Sequence, residues 1–209
     1  MSWQQPAGRS VRQTNLFEGD GGASGHLRHP EPLALAARQL QQWRRDLGCF
    51  QAPLFRGSGG GDAQGELFSP PDDTDTGASA VNPLMLRSQA LSFWRWPDPP
   101  QQGAALYFVL DAAVSEPEHP ALLLYVGETG QADRRWKGEH DCKHYLSAYS
   151  EALVGAGLDS RLSIRFWLDV PLDVRRRRAL EQALIRRWLP PFNKETRQRW
   201  ATPFTADCG

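Results

Sequence analysis

Two short apolar runs in the second half of the chain interrupt a largely polar sequence. The first covers residues 104–110, and the second begins at Leu122 and ends in Tyr125-Val126-Gly127, after which the chain becomes polar and basic. Apolar runs of this length, bounded by Gly and Pro residues, predict buried strands. The acidic, Pro-containing segment 111–120 between them predicts a β-hairpin with a long loop.

Helical and strand patterns continue after the hairpin. Residues 132–137 and 141–155 are typical of helices, and residues 162–168 begin with the alternation of a third strand. Asp173 is a favourable N-cap for a last helix, whose apolar face includes Val174 and which ends near residue 189, before a Pro pair. The sequence therefore predicts an α/β (α+β) fold in which helices flank a three-stranded antiparallel sheet.

The rest of the chain has a different character. Residues 1 to about 80 contain Gly-rich and acidic stretches that bury too little apolar surface to offset the entropy of ordering, so we expect this region to be mostly disordered. Within it, helical spacing predicts one short helix at about residues 33–47, ended by Gly48. The remaining boundaries are an N-terminal arm (81–102) that packs on the domain, the domain itself (103–195) and a C-terminal tail (196–209).

Three apolar islands of the first region share the pattern Gln-x-x-Leu-Phe. This pattern resembles the pentapeptide with which bacterial proteins bind the DNA sliding clamp. The resemblance implies that Leu and Phe enter a pocket while the Gln amide fixes the orientation of the peptide. The alternative is that the islands fold back on the domain as apolar anchors. The residues concerned are Gln13, Leu16, Phe17, Gln51, Leu54, Phe55, Gln64, Leu67 and Phe68.

Composition narrows the class of protein only slightly. Lys plus Arg and Asp plus Glu both number 24, so the net charge identifies no partner. Cys49, Cys142 and Cys208 lie far apart, which predicts neither a disulfide framework nor a zinc site. Because no signal peptide or membrane span is apparent, we expect a cytoplasmic protein without a membrane partner. The segment 175–199 is locally basic, which suits a polyanion, although a solvated helix face is the alternative.

Five elements in the second half resemble, in order and spacing, the GIY-YIG nuclease family. The resemblance covers about residues 103–195. The elements are Ala105-Leu106-Tyr107 for Gly-Ile-Tyr, Tyr125-Val126-Gly127 for Tyr-Ile-Gly, Arg135, the helical segment beginning at Glu181 for Glu-x-x-Leu-Ile, and Asn193 after the Pro pair.

This resemblance implies a metal-dependent phosphodiesterase site. Tyr107 would be the general base, Tyr125 would hydrogen-bond in the same site, and Arg135 would neutralise the phosphate. Glu181 would be the only protein ligand of Mg²⁺ or Mn²⁺, and Asn193 would position the phosphate or brace the site. Each residue also has a structural alternative: the tyrosines as packing residues, Arg135 as a surface charge, Asn193 as a turn residue, and Glu181 as the partner of an Arg one turn earlier.

Two positions depart from the family's pattern. Ala105 replaces a Gly, and Glu139 stands where many members have a His, so His140 or, less favourably, His144 is the candidate for that role. The candidate nucleic-acid-binding residues are Lys137, Lys143, Arg177, Arg178 and Lys194.

The sequence thus predicts a DNA endonuclease that uses Mg²⁺ or Mn²⁺ and is tethered to the sliding clamp in repair or replication-linked processing. The main alternative is a non-catalytic adaptor that binds the clamp and DNA through a nuclease-like fold. A restriction enzyme is a third reading, weakened because the sequence has no evident recognition domain.

Overall fold

A three-stranded antiparallel sheet, in which the first strand along the chain lies between the second and the third, forms the centre of the fold. The computed structural model describes residues 34–57, 78, 81–92, 101–112, 119–134 and 141–204, all of which belong to the unit Pro32–Gly209. The strands are β1 (Ala105–Asp111), β2 (Leu122–Thr129) and β3 (Leu162–Trp167), and the helices are α1 (Ala34–Phe55), α2 (Asp141–Gly155) and α3 (Val174–Trp188). The predicted α+β class with a three-stranded antiparallel sheet is confirmed. No helix in the described ranges is long and apolar enough to cross a membrane.

β1 is buried along its whole length because the sheet is covered on both faces. One face carries Tyr107 and Val109 and packs against α1 and α2. The other carries Leu106 and Phe108 and packs against α3. A strand buried on both faces has no polar alternation, which explains why the β1 sequence is a continuous apolar run.

A β-bulge interrupts the pairing of β1 with β2. Val109 lies opposite Tyr125 and Leu110 opposite Leu123, so Leu124 is the extra residue. Because β2 is an edge of the described sheet, its outward N–H and C=O groups need partners from outside the sheet. The extra residue also changes which β2 residues direct their backbone N–H and C=O groups away from β1.

α2 and α3 form as the periodicity predicts. The side chain of Asp173 accepts a hydrogen bond from Arg176 N at 2.9 Å, which caps the start of α3. The helix ends at Trp188, and its C-cap residue Leu189, whose φ of 45° lies in the left-handed region, immediately precedes Pro190. Val174 differs from the prediction: it is 45% exposed, because α3 is buried only from Arg177 onward.

α1 is longer than predicted, continuing past Gly48 to Phe55. Gly48 does not end the helix. It allows close packing instead, since a Cβ at this position would lie 3.1 Å from Cγ of His119. A buried ionic contact also ties α1 to the sheet, because Nη2 of Arg44 lies 3.5 Å from Oδ2 of Asp111. Asp111 is further bound by the Tyr149 hydroxyl of α2 at 2.8 Å, so α1 is an integral part of the folded domain.

The second Gln-x-x-Leu-Phe segment forms the end of α1. Gln51 is fully buried, and its side-chain amide accepts from Leu123 N at 2.7 Å and donates to Leu123 O at 3.0 Å. The same amide donates to Trp188 O, the end of α3, at 3.0 Å. Phe55 is 5% exposed and packs on Trp188, with ring centroids 4.6 Å apart.

This packing corrects the expectation that residues 51–55 belong to a disordered appendage and present themselves to a clamp. Gln51 and Phe55 are engaged within the domain, and Leu54 packs at the edge of the same apolar cluster. The alternative reading, an anchor folded onto the domain, describes this segment. The physical reason is that a Gln amide both donates and accepts hydrogen bonds. It can therefore pair with the backbone N–H and C=O of one edge-strand residue, and the same chemistry would let it orient a bound peptide.

Segments on either side of the domain sequence also pack against it. Leu84 and Leu86 contact the α3 side of the core, while Gln89 pairs with Ile164 of β3 through two backbone hydrogen bonds of 2.9 Å. On the other side, Trp200 and Phe204 pack against the cluster that contains Tyr107. The C-terminal residues up to 204 therefore contribute to the same core.

Candidate active site

Tyr107 and Tyr125 lie side by side on the face of the sheet that α1 and α2 cover. Val109 is paired with Tyr125 and Tyr107 with Gly127, so the two tyrosines are diagonal neighbours on adjacent strands. Their ring centroids are 5.9 Å apart with an interplanar angle of 30°, and a side-chain hydrogen bond joins them. Tyr107 is fully buried, whereas Tyr125 is partly exposed.

Gly127 makes room for the Tyr107 phenol. A Cβ at position 127 would lie 2.4 Å from both Cζ and Oη of Tyr107, a separation that no side chain tolerates. The Tyr107 ring therefore crosses directly over the backbone of the neighbouring strand. This contact gives a physical reason for a Gly two residues after Tyr125, opposite a Tyr on β1.

Electrostatic interactions connect this pair to α3. Burial raises the pKa of Tyr125 above its usual range, and the charges of Tyr107, Cys142 and Glu181 act in the same direction. Tyr125 is therefore protonated at neutral pH, so its hydroxyl can donate a hydrogen bond to Tyr107. Glu181 makes the smallest of these contributions to the raised pKa of Tyr125, so its negative charge acts on this phenol.

Glu181 is partly exposed in the second turn of α3. The sequence offers Arg177 and Arg178, one turn earlier, as its ion-pair partners. Both arginines instead bind Glu128 of β2, with Nε of Arg177 2.9 Å from Oε2 and Nε of Arg178 3.3 Å from Oε1. Both arginines are therefore tied to the neighbouring strand β2.

Asn193 braces β2 and is not available to a phosphate. Its side chain is 3% exposed, accepts from Val126 N at 2.9 Å and donates to Val126 O at 2.8 Å. Next to it, Phe192 N donates to Leu124 O at 3.0 Å. The sequence left positioning and bracing open for Asn193, and this geometry is that of a brace.

Together, Gln51 and Asn193 complete the edge of β2. Gln51 binds the backbone of Leu123 on one side of the bulge, and Asn193 binds that of Val126 on the other. Sequence reasoning missed the role of Gln51, although a polar residue on the apolar side of a helix, near Leu47, was a usable signal. The two amides hold the strand that carries Tyr125 and Gly127.

Arg177 also departs from its predicted role. It is 3% exposed and, besides its ion pair with Glu128, donates to Pro171 O and Leu172 O at 3.1 Å each. Its guanidinium joins α3 to β2 and the preceding loop, so the expectation that it contacts nucleic acid is corrected. Arg178 and Lys194 are exposed, and Lys143 is partly exposed.

Several predicted residues lie outside the described residues. Arg135, Lys137 and His140 belong to this group, as do the first and third Gln-x-x-Leu-Phe segments with Gln13, Leu16, Phe17, Gln64, Leu67 and Phe68. Their roles stay predictions. His144, the less favoured substitute for the family's His, is exposed on α2.

The described side chains suit a hydrated divalent cation held by one carboxylate better than a metal ion enclosed by several protein ligands. Within the described ranges, no group of three or more His, Cys, Asp or Glu side chains could enclose a metal ion. A hard cation that keeps most of its water ligands needs less, since one carboxylate and the oxygens of a substrate are enough. Glu181, a partly exposed carboxylate whose charge acts on the Tyr125 phenol, fits that requirement.

Comparisons of this chain with protein-family models, with curated proteins and with solved structures find no match. The function is therefore inferred from the residues of this chain and from their geometry.

Proposed function

We propose that this protein is a metal-dependent DNA endonuclease of the GIY-YIG type that hydrolyses phosphodiester bonds. The observation that carries the proposal is the pair of neighbouring phenols, Tyr107 on β1 and Tyr125 on β2, on which the charge of Glu181 from α3 also acts. A titratable group with a raised pKa, here Tyr125, is a feature of many catalytic sites.

In this proposal the tyrosines divide two tasks. Tyr107 takes the proton of the attacking water, directly or through the hydroxyl of Tyr125, which lies nearer to solvent. Tyr125 stays protonated and donates a hydrogen bond that stabilises negative charge on Tyr107. A free phenol has a pKa near 10, so a nearby cation such as Arg135 is needed for a base that works at neutral pH.

Glu181 is the proposed ligand for Mg²⁺ or Mn²⁺. Such an ion, when bound, would neutralise charge on the phosphate and on the leaving oxygen. Asn193 and Gln51 support the site indirectly, because they fix the strand from which Tyr125 extends. Cation binding through a single carboxylate predicts that the affinity for the metal depends strongly on bound nucleic acid.

The exposed basic side chains of α3 and the following loop suit DNA as the substrate. Arg175, Arg176, Arg178 and Arg186 are exposed on α3, and Lys194 is exposed just beyond it. A surface of this charge attracts the phosphate backbone without reading its sequence. The same helix carries Glu181, so the basic side chains and the proposed metal ligand share one rigid element.

Metal-dependent cleavage of DNA is the direct test. Purified protein is incubated with plain, nicked, flapped and branched DNA, and with matched RNA, in Mg²⁺, in Mn²⁺ or in chelator. We expect cleavage of at least one DNA substrate that stops when the metal is chelated. If DNA is bound but no substrate is cut with either metal, the non-catalytic adaptor becomes the better account.

We also propose that the sliding clamp carries the enzyme to DNA through residues 13–17 and 64–68, because the second segment is used inside the fold.

Replacing Phe55 by Ala should lower the free energy of unfolding by about 3–5 kcal/mol, since it removes a ring buried against Trp188. Replacing Leu16 and Phe17, or Leu67 and Phe68, should leave stability unchanged and weaken clamp binding. Urea denaturation and titration with purified clamp measure the two effects. Equal losses of stability from all three replacements would contradict the proposal that the second segment serves the fold while the other two serve clamp binding.

A further inference from the structure

The loop between β3 and α3 exposes a group of apolar side chains. Five large apolar side chains are exposed in the described part of the chain, and three of them, Leu168, Leu172 and Val174, lie within seven consecutive residues. Leu172 is the most exposed of the five, at 85%. Single exposed apolar residues are ordinary on protein surfaces, whereas a group of them in one short segment is typical of an interaction site.

The backbone of this loop is fixed from inside the fold. Nη1 of the buried Arg177 donates to Pro171 O and to Leu172 O at 3.1 Å each. Nε of the same guanidinium binds Glu128 of β2, and Val170 packs against the apolar cluster on the α3 side of the sheet. Leu172 is therefore an exposed side chain on a well-supported backbone, so binding a partner there costs little ordering entropy.

The residues that follow the loop carry positive charge that the first turn of α3 does not balance. Arg175, Arg176 and Arg178 are exposed, and this turn contains no acidic residue. Guanidinium groups are unfavourable at this end of a helix, because the macrodipole places partial positive charge there. The N-cap carboxylate of Asp173 offsets part of the charge, and Asp169 is exposed in the loop. The three arginines still outnumber these acids, so the phosphates of a nucleic acid are a partner of matching charge.

We propose that residues 168–174 form a DNA wedge, in which Leu172 enters the base stack of a bound duplex while Arg175 and Arg176 bind the phosphates beside it. This inference rests on the proposed function and names its substrate class, a duplex with a base step whose stacking is already weakened by a mismatch or a nick. Proteins that kink DNA insert apolar side chains such as Leu between adjacent base pairs. Unstacking costs least at a mismatched or damaged step, so the wedge selects such steps without reading the sequence.

The first experiment uses DNA that contains 2-aminopurine, a base whose fluorescence rises when it leaves the stack, with chelator in place of metal. The base is placed at successive positions of a plain duplex and of duplexes with one mismatch or one nick. We expect saturating protein to raise the fluorescence at least about twofold at the mismatched or nicked step, and Leu172→Ser to abolish this rise. Leu172→Met, which keeps a long apolar side chain, should retain it.

Two further variants separate the wedge from general surface effects. Val154→Ser is the matched control, because Val154 is 79% exposed on α2 and lies outside the basic segment, so fluorescence and affinity should stay unchanged. Replacing Arg175 and Arg176 by Gln should weaken binding to every duplex and lower the slope of log affinity against log salt by about two. The fluorescence rise at saturating protein should remain in this double variant, since phosphate contacts position the duplex without unstacking it.

The second experiment measures affinity for the same duplexes at fixed salt. We expect the mismatched or nicked duplex to bind about tenfold more tightly than the plain duplex, since less unstacking energy is needed. Leu172→Ser should lose most of this preference. Equal affinity of the unmodified protein for all the duplexes would contradict the proposed substrate class.

The outcomes for the wedge and for the nuclease are distinguishable. Unchanged fluorescence at every position of the complex, or a rise that survives in Leu172→Ser, would overturn the wedge even if DNA is cleaved. A rise that depends on Leu172, without cleavage in Mg²⁺ or Mn²⁺, would support the wedge and refute the nuclease. Sedimentation without DNA tests the other occupant of this surface: if Leu172→Ser dissociates a dimer formed by the unmodified protein, the loop is a contact between copies of this chain and the wedge is wrong.

Discussion

Replacing Glu181 by Gln is expected to lower metal-dependent cleavage at least about a thousandfold, because it removes the negative charge that binds the cation beside the reacting phosphate. Gln keeps the size of the side chain and its position on α3. Glu181 is partly exposed, so the fold should tolerate this change. The measurement is the single-turnover cleavage rate over a range of Mg²⁺ concentrations, together with the melting temperature and the affinity for an uncleavable duplex.

The matched control for this variant is Gln182→Ala, the next residue on the same helix. Gln182 donates to Glu195 at 3.0 Å on the surface, so its loss should leave cleavage nearly unchanged. Cleavage by Glu181→Gln at a rate close to that of the unmodified protein would remove the metal-ligand role. A similar loss in both variants would indicate that any change in α3 disturbs the site.

Replacing Tyr107 by Phe is expected to slow cleavage by about a hundredfold or more, in line with the contribution of a general base. The ring would still fill the space over Gly127, so the cost in stability should be about 1 kcal/mol, the value of one hydrogen bond to Tyr125. The measurement is the single-turnover rate as a function of pH beside a urea denaturation curve. A silent Tyr107→Phe variant in both assays would leave Tyr107 as a packing residue.

Tyr125→Phe separates the two phenols. If Tyr107 is the base, loss of Tyr125 should remove a hydrogen bond that stabilises the Tyr107 phenolate, so the pH dependence of cleavage should move to higher pH. The maximal rate should fall less than in Tyr107→Phe. The opposite order, with Tyr125→Phe the more damaged variant, would assign the base to Tyr125, the more exposed hydroxyl of the pair.

Local pattern was enough to predict most of the regular elements. The β1 and β2 runs, the bounds of α2, and the cap of α3 at Asp173 agree with the structure because each depends on residues a few positions apart. The end of α1 was predicted less well. Gly48 has the chemistry of a helix stop, and only its contact with His119, from a distant part of the chain, explains why a Gly lies within this helix.

The sequence by itself determined the class of the fold and the order in which the candidate residues Tyr107, Tyr125 and Glu181 occur. Tertiary structure alone decided what several polar residues do. Gln51 completes the edge of β2 from a helix more than 70 residues away in sequence, with its nearest contact to Leu123 spanning 72 positions. Arg177 is held inside the fold by its ion pair with Glu128, 49 positions earlier. The physical reason is that an amide or a guanidinium binds whichever unsatisfied group lies within about 3 Å, and the folded chain, not the local sequence, brings that group near.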